Sequence, residues 1–94
     1  MNEAATTACR RYRVSGRVQG VFFRASAREQ ARALGLSGWV ANRADGSVEA
    51  VASGSPEALA AFESWLAEGP PRALVSAVTS EVCSEQTGSG FEVR

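Results

Sequence analysis

The chain has no histidine and no lysine: all ten of its basic residues are arginine. Lack of histidine removes the commonest general base and metal ligand. Cysteine is scarce too. Cys9 and Cys83 have no metal-ligand spacing and no base partner in sequence, which argues against a zinc site and a thiol nucleophile. No stretch approaches ~20 consecutive apolar residues, so no membrane span is expected. Residues Met1 to Ala8 lack the basic and apolar regions of a signal peptide. They are expected to form a flexible tail, with residues 9–94 as one domain and the cytoplasm as the default location. There is no internal repeat, low-complexity tract or linker, and no cluster of carboxylates that would hold a metal, so neither metal nor cofactor is expected.

What is present is an ordinary globular composition, 45% hydrophobic, with an unusual arrangement of charge. Ten basic and ten acidic residues cancel overall. Yet residues 4–28 hold six arginines (10, 11, 13, 17, 24 and 28) and no acid. A patch of one sign can focus small anions toward a site. Arg10, Arg11 and Arg13 read as the solvated face of a strand. Arg17 and Arg24 flank a glycine-containing loop, and for them an anion-binding role is favoured.

Periodicity predicts alternating strands and helices. Cys9 to Gly16 reads as a strand, followed by a helix from about Phe23 with Phe23, Ala27, Ala31 and Leu34 on one face and Gly35 as its cap. A strand over residues 38–43 leads through Asp45-Gly46, a short hairpin signal, into another over residues 47–52. Ser55-Pro56 announces a second helix, with Leu59, Phe62 and Leu66 as its apolar stripe and Trp65 beside it. Gly69-Pro70-Pro71 stops it. A strand over residues 73–82, a polar turn through Gly88 and Gly90, and a short strand over residues 91–94 complete the chain. The order βαββαβ plus a short C-terminal strand predicts an α+β, ferredoxin-like two-layer sandwich, with two helices on one face of an antiparallel sheet. Cys9 and Cys83 fall in different strands whose antiparallel pairing would permit a disulfide. Two free thiols are the expected state in a reducing compartment.

Residues 14–24, V-S-G-R-V-Q-G-V-F-F-R, carry the clearest chemistry. A strand, a glycine loop and a helix start converge free backbone N–H groups on an anion. Arg24 is a cation at the positive end of a helix dipole, unfavourable by roughly 0.3–1 kcal/mol unless an anion binds beside it. Asn42, near the end of the second strand, has two readings. Composition favours a turn cap bonded to its own backbone. Topology brings the ends of the first two strands to one edge, where the amide could orient a water facing the bound anion.

Residues 16–24 (G-R-V-Q-G-V-F-F-R) and 38–48 (G-W-V-A-N-R-A-D-G-S-V), continuing to Gly54, resemble the two signatures of the acylphosphatase family. The resemblance extends over the whole chain beyond the tail. It implies hydrolysis of the carboxyl-phosphate bond of acyl phosphates by direct water attack. Arg24 matches the family's phosphate-binding catalytic arginine and Asn42 the asparagine that positions water. Gln19, Gly20, Val21, Phe22 and Phe23 match the loop whose amides cradle the phosphoryl oxygens. It implies no metal or cofactor, and a small acyl phosphate as partner, with a monomer as the default state. Nucleic acid is not an expected partner, since the third strand carries no aromatic on which bases could stack. The rival reading is a non-catalytic accessory domain.

Overall fold

A computed structural model describes residues 7–85 and 87–94. The chain runs β1 (Ala8–Arg17), α1 (Phe23–Ala33), β2 (Ser37–Asn42), β3 (Val48–Gly54), α2 (Pro56–Glu68), β4 (Leu74–Val82) and β5 (Phe91–Val93). Every expected element is present, with ends displaced by one or two residues. Of the expected tail, residues 1–6 lie outside the described residues, and Ala8 already pairs with Gly54 in the sheet.

Local chemistry sets both helices. The buried residues of α1 are Phe23, Ala27 and Ala31, the spacing that puts one stripe on the sheet. At its C-terminus the Gly35 and Leu36 N–H groups donate to the Arg32 and Ala31 carbonyls at 3.1 and 2.9 Å, the paired bonds of a Schellman stop. In α2 the Ser55 hydroxyl accepts from the Ala58 N–H at 3.1 Å and Pro56 takes the first helical position. Leu59, Phe62 and Leu66 are its buried residues.

The sheet order is β4-β1-β3-β2-β5. Strands β1 and β2 each pair antiparallel with β3, so they point the same way and end at the same edge. The expected antiparallel sheet needs a correction. Strand β5 pairs parallel with β2, which makes the sheet mixed. The reason is geometric. Strand β4 ends beside the start of β1, with Val82 opposite Arg10, and the connection crosses to the far edge at that end. Strand β5 must therefore start there and run back alongside β2.

The same register corrects the cysteine expectation. One step beyond the Arg10–Val82 pair, Cys9 and Cys83 face each other with Cα atoms 5.3 Å apart and form a disulfide. The Cys83 N–H donates to the Cys9 carbonyl at 3.1 Å. Antiparallel pairing is what brings the two sulfurs within bonding reach. At the other end of β1 the register to β4 shifts between Ser15 and Gly16. A side chain on Gly16 would collide with the Leu74 carbonyl oxygen and stand 2.8 Å from the Ser76 nitrogen.

Between helices and sheet, Tyr12 and Phe91 meet Phe62 edge-on with centroids 5.8 Å apart in both pairs. Each such pair contributes about 0.5–1.5 kcal/mol beyond the area it buries. The Tyr12 hydroxyl donates to the Leu59 carbonyl at 3.3 Å. Burial pushes its pKa up to about 12. On the opposite sheet face Glu49, 5% exposed, takes ion pairs from Arg11 and from Arg43 at 3.2 Å. Glu85 accepts from the Trp39 indole at 2.7 Å and from Arg11 at 3.3 Å. Arg11 is thus a paired strut on that face, and its contact with Glu49 raises its pKa.

Candidate active site

The loop between β1 and α1 divides its two phenylalanines. Phe23 is 2% exposed and packs on Trp65 with centroids 5.4 Å apart, anchoring the first turn of α1 in the core. Phe22 is 77% exposed. It sits at the N-cap with φ 64° and ψ 25°, the left-handed region. Among the described residues it is the one non-glycine residue with positive φ, and Gly20, at φ 76°, is its counterpart two residues earlier. For a bulky side chain this conformation costs on the order of 1–3 kcal/mol. Left-handed residues on either side of Val21 curl the backbone so that successive N–H groups turn inward, the geometry of an anion nest.

The helix adds its own donors. Its first backbone bond runs from the Ser26 N–H to the Phe22 carbonyl at 3.0 Å, so the N–H groups before Ser26 have no helical acceptor. No side chain caps this terminus and no acid occupies its first turn. Arg24 stands here, and one of its terminal nitrogens donates to the backbone oxygen of Arg94 at 2.9 Å. Arg94 is in turn fixed by its N–H to the Val40 carbonyl at 2.8 Å and by its guanidinium lying 4.8 Å over the Trp39 ring. One bond steers Arg24 and leaves the rest of its donor fork unspent.

Strand β2 delivers the other half. Asn42 closes β2 opposite Val48. The hairpin that follows turns through residues 44–46, the three left between the expected strands 38–43 and 47–52. The Gly46 N–H donates to the Arg43 carbonyl at 3.1 Å and the Arg43 N–H to the Ser47 carbonyl at 2.8 Å. Asp45, not Asn42, supplies the side-chain cap. Its carboxylate accepts from the Ser47 hydroxyl at 2.6 Å and backbone N–H at 3.0 Å, which holds its pKa below the usual carboxylate range. The Asn42 carboxamide oxygen is buried and has no hydrogen-bond partner among the described residues. A buried acceptor left unmatched is uncommon and points to a ligand or water as its partner.

These parts meet in a cleft of about 330 Å³ lined by Val18, Gly20, Phe22, Phe23, Arg24, Ala25, Asn42 and Val93. Arg24 is its one ionisable lining residue. Gln19 and Val21 do not line it. The Gln19 side chain instead donates to the Arg43 and Ser47 carbonyls at 2.8 and 2.9 Å, tying the glycine loop to the hairpin. Val21 packs against the core. Arg17 pairs with Leu74 on the β4 side and is exposed, away from the cleft lining. Val93 and Arg94 were not legible as site residues, because a three-residue strand does not announce which edge it will join. Among the described residues no group of three or more His, Cys, Asp and Glu is gathered as a metal would need. The groups offered to a ligand here are amide and guanidinium N–H donors and one carboxamide.

Comparison with known proteins places this arrangement. The family model described as Acylphosphatase matches residues 10–93. An acylphosphatase of Xanthomonas euvesicatoria is 60% identical over 74 residues, 79% of this chain and 84% of that protein. An acylphosphatase of Alkalilimnicola ehrlichii is 50% identical over 93 residues, 99% of each chain. Among solved structures, an acylphosphatase from Coxiella burnetii matches with a TM-score of 0.94 at 44% identity, over 100% of this chain and 99% of that one.

Proposed function

Since the chain belongs to the acylphosphatase family, whose reaction is hydrolysis of acyl phosphates to carboxylate and phosphate, we propose that Arg24 and Asn42 perform that reaction in the cleft beside the glycine loop. The observation that carries the assignment is the buried, unpartnered Asn42 oxygen in the same cleft as Arg24 and the free helix amides.

The phosphoryl group is held by the N–H groups of Gly20, Phe22 and Phe23, the residues of the 19–23 segment that line the cleft, and by the guanidinium of Arg24. The guanidinium fork can span two phosphoryl oxygens, which an ammonium cannot reproduce. Its bond to the Arg94 oxygen fixes the approach of the fork before substrate arrives. Asn42 accepts a hydrogen bond from the attacking water, whose lone pair then points at phosphorus. The bond from water oxygen to phosphorus forms as the phosphorus–acyl oxygen bond breaks, and the carboxylate departs with that electron pair. A carboxylate is a good leaving group, so positioning and charge stabilisation carry the acceleration. No carboxylate or imidazole lines the cleft. The proton of water therefore passes to a phosphoryl oxygen of the substrate itself, and the products are carboxylate and dihydrogen phosphate. No phosphoenzyme forms, and neither metal nor cofactor takes part. The protein works as a monomer.

The test is release of phosphate from benzoyl phosphate in EDTA. Wild type turns over. Arg24→Ala loses activity by at least 10²–10³-fold, the scale for removal of a preorganised charge-stabilising group, and weakens inhibition by inorganic phosphate. Asn42→Ala loses kcat while phosphate inhibition persists. A folded wild type that binds phosphate without turnover would instead make this an accessory domain.

A further inference from the structure

The cleft is lined by polar and by apolar residues, and the mechanism uses only the polar ones. Arg24, Asn42 and the amides take the phosphoryl group. Phe22 and Val93 are among the apolar lining residues, and Phe22 is the one set in solvent. Phe22 is out of place on two independent counts. It is 77% exposed while its neighbour Phe23 is 2% exposed. It also occupies a left-handed conformation that glycine or asparagine would adopt with far less strain. Neither core packing nor turn chemistry accounts for a phenyl ring there.

We propose that Phe22 is a specificity-determining residue that packs against the acyl group, giving the enzyme a preference for acyl phosphates with a planar or bulky apolar acyl portion. This rests on the reading of the cleft given above. With the phosphoryl group held by Arg24, Asn42 and the amides, the acyl portion lies against the rest of the lining, where Phe22 is 77% exposed. There the phenyl face and Val93 offer contact to an aromatic or branched acyl group, and little to a methyl or an amino group. The acyl group is still attached when the phosphorus–oxygen bond breaks, so the contact enters kcat/KM. Apolar contacts of this size discriminate by on the order of 10-fold.

The experiment compares kcat/KM for benzoyl phosphate and acetyl phosphate in wild type, Phe22→Gly, Phe22→Asn and Phe22→Tyr. Glycine and asparagine both suit the left-handed backbone and keep its N–H, while tyrosine keeps the ring. The readout is the benzoyl-to-acetyl ratio, so any loss common to both substrates cancels. The ratio is expected to fall by on the order of 10-fold in the glycine and asparagine variants and to persist with tyrosine. A ratio unchanged in the glycine and asparagine variants, or equally reduced with tyrosine, overturns the role of Phe22 while leaving the hydrolase reading intact. A wild type inactive on both substrates would overturn the hydrolase reading and this proposal with it.

Discussion

Reducing the Cys9–Cys83 disulfide should cost the domain much of its stability and none of its catalytic geometry. The bond joins residues 74 apart in sequence. In the chain-entropy treatment, closing a loop of that size removes roughly 4.5 kcal/mol of denatured-state freedom at 25 °C, and native disulfides of small domains typically contribute 2–4 kcal/mol. Against a total of about 5–15 kcal/mol for a domain this size, the reduced protein stays folded near room temperature with a narrow margin. The melting temperature should fall by roughly 12–24 °C for a 3 kcal/mol loss. The site, by contrast, is far away. Cys9 is at the start of β1 and the glycine loop follows its end at Arg17, about 26 Å along the strand. Thermal melts with and without dithiothreitol, and of a Cys9→Ser, Cys83→Ser double variant, read the first quantity. Benzoyl phosphate turnover at 20 °C reads the second. Equal melting temperatures for oxidised and reduced protein would refute the entropic reasoning. A drop in kcat at a temperature where both forms are folded would refute the separation of staple from site.

Other outcomes follow from single contacts. Gln19→Ala removes two bonds to the Arg43 and Ser47 carbonyls, each contributing about 0.5–1.5 kcal/mol. Its kcat should fall several-fold as Asn42 loses register with the glycine loop, and a kcat within twofold of wild type would contradict that coupling. Gly16→Ala places a methyl group against the Leu74 backbone and should destabilise the fold by about 3 kcal/mol, read by urea denaturation. Tyr12 gives an alkaline signature. Its folded pKa is raised to about 12 from 10.0, so the neutral phenol is retained on folding. The stability it contributes is intact below pH 10 and is lost as pH rises toward 12, by about 1.4 kcal/mol per pH unit. Tyr12→Phe should flatten that decline in urea titrations between pH 10 and 12; an unchanged slope would assign it to other groups.

What could be read from residues alone was what local chemistry decides. Ser55-Pro56 fixed the start of α2 because a cap and a preset φ act within one turn. Phe23, Ala27 and Ala31 declared the buried face of α1, and Gly35 its stop. That Arg24 and Asn42 would lie near each other was legible because β1 and β2 point the same way and end at one edge, and both residues line the cleft there. Sheet-level choices were not legible. The side of the sheet that β5 joins depends on where the connection from β4 crosses, and that brings Val93 to the cleft and the Arg94 oxygen to Arg24. Pairing of Cys9 with Cys83 depends on a register that no local pattern encodes. Asp45 took the turn-capping role open to Asn42, a competition settled only by which side chain reaches the Ser47 N–H.

The bond from Arg24 to the Arg94 oxygen spans 70 residues of sequence. During synthesis at about 5–20 residues per second, Arg24 is added to the chain some 4–14 s before its steering acceptor. Strands β1 to β4, both helices and the disulfide partners are all made by then. A chain folded everywhere except β5 therefore still lacks the acceptor that aims Arg24. On the proposed mechanism, catalytic competence waits for β5 to find its place beside β2.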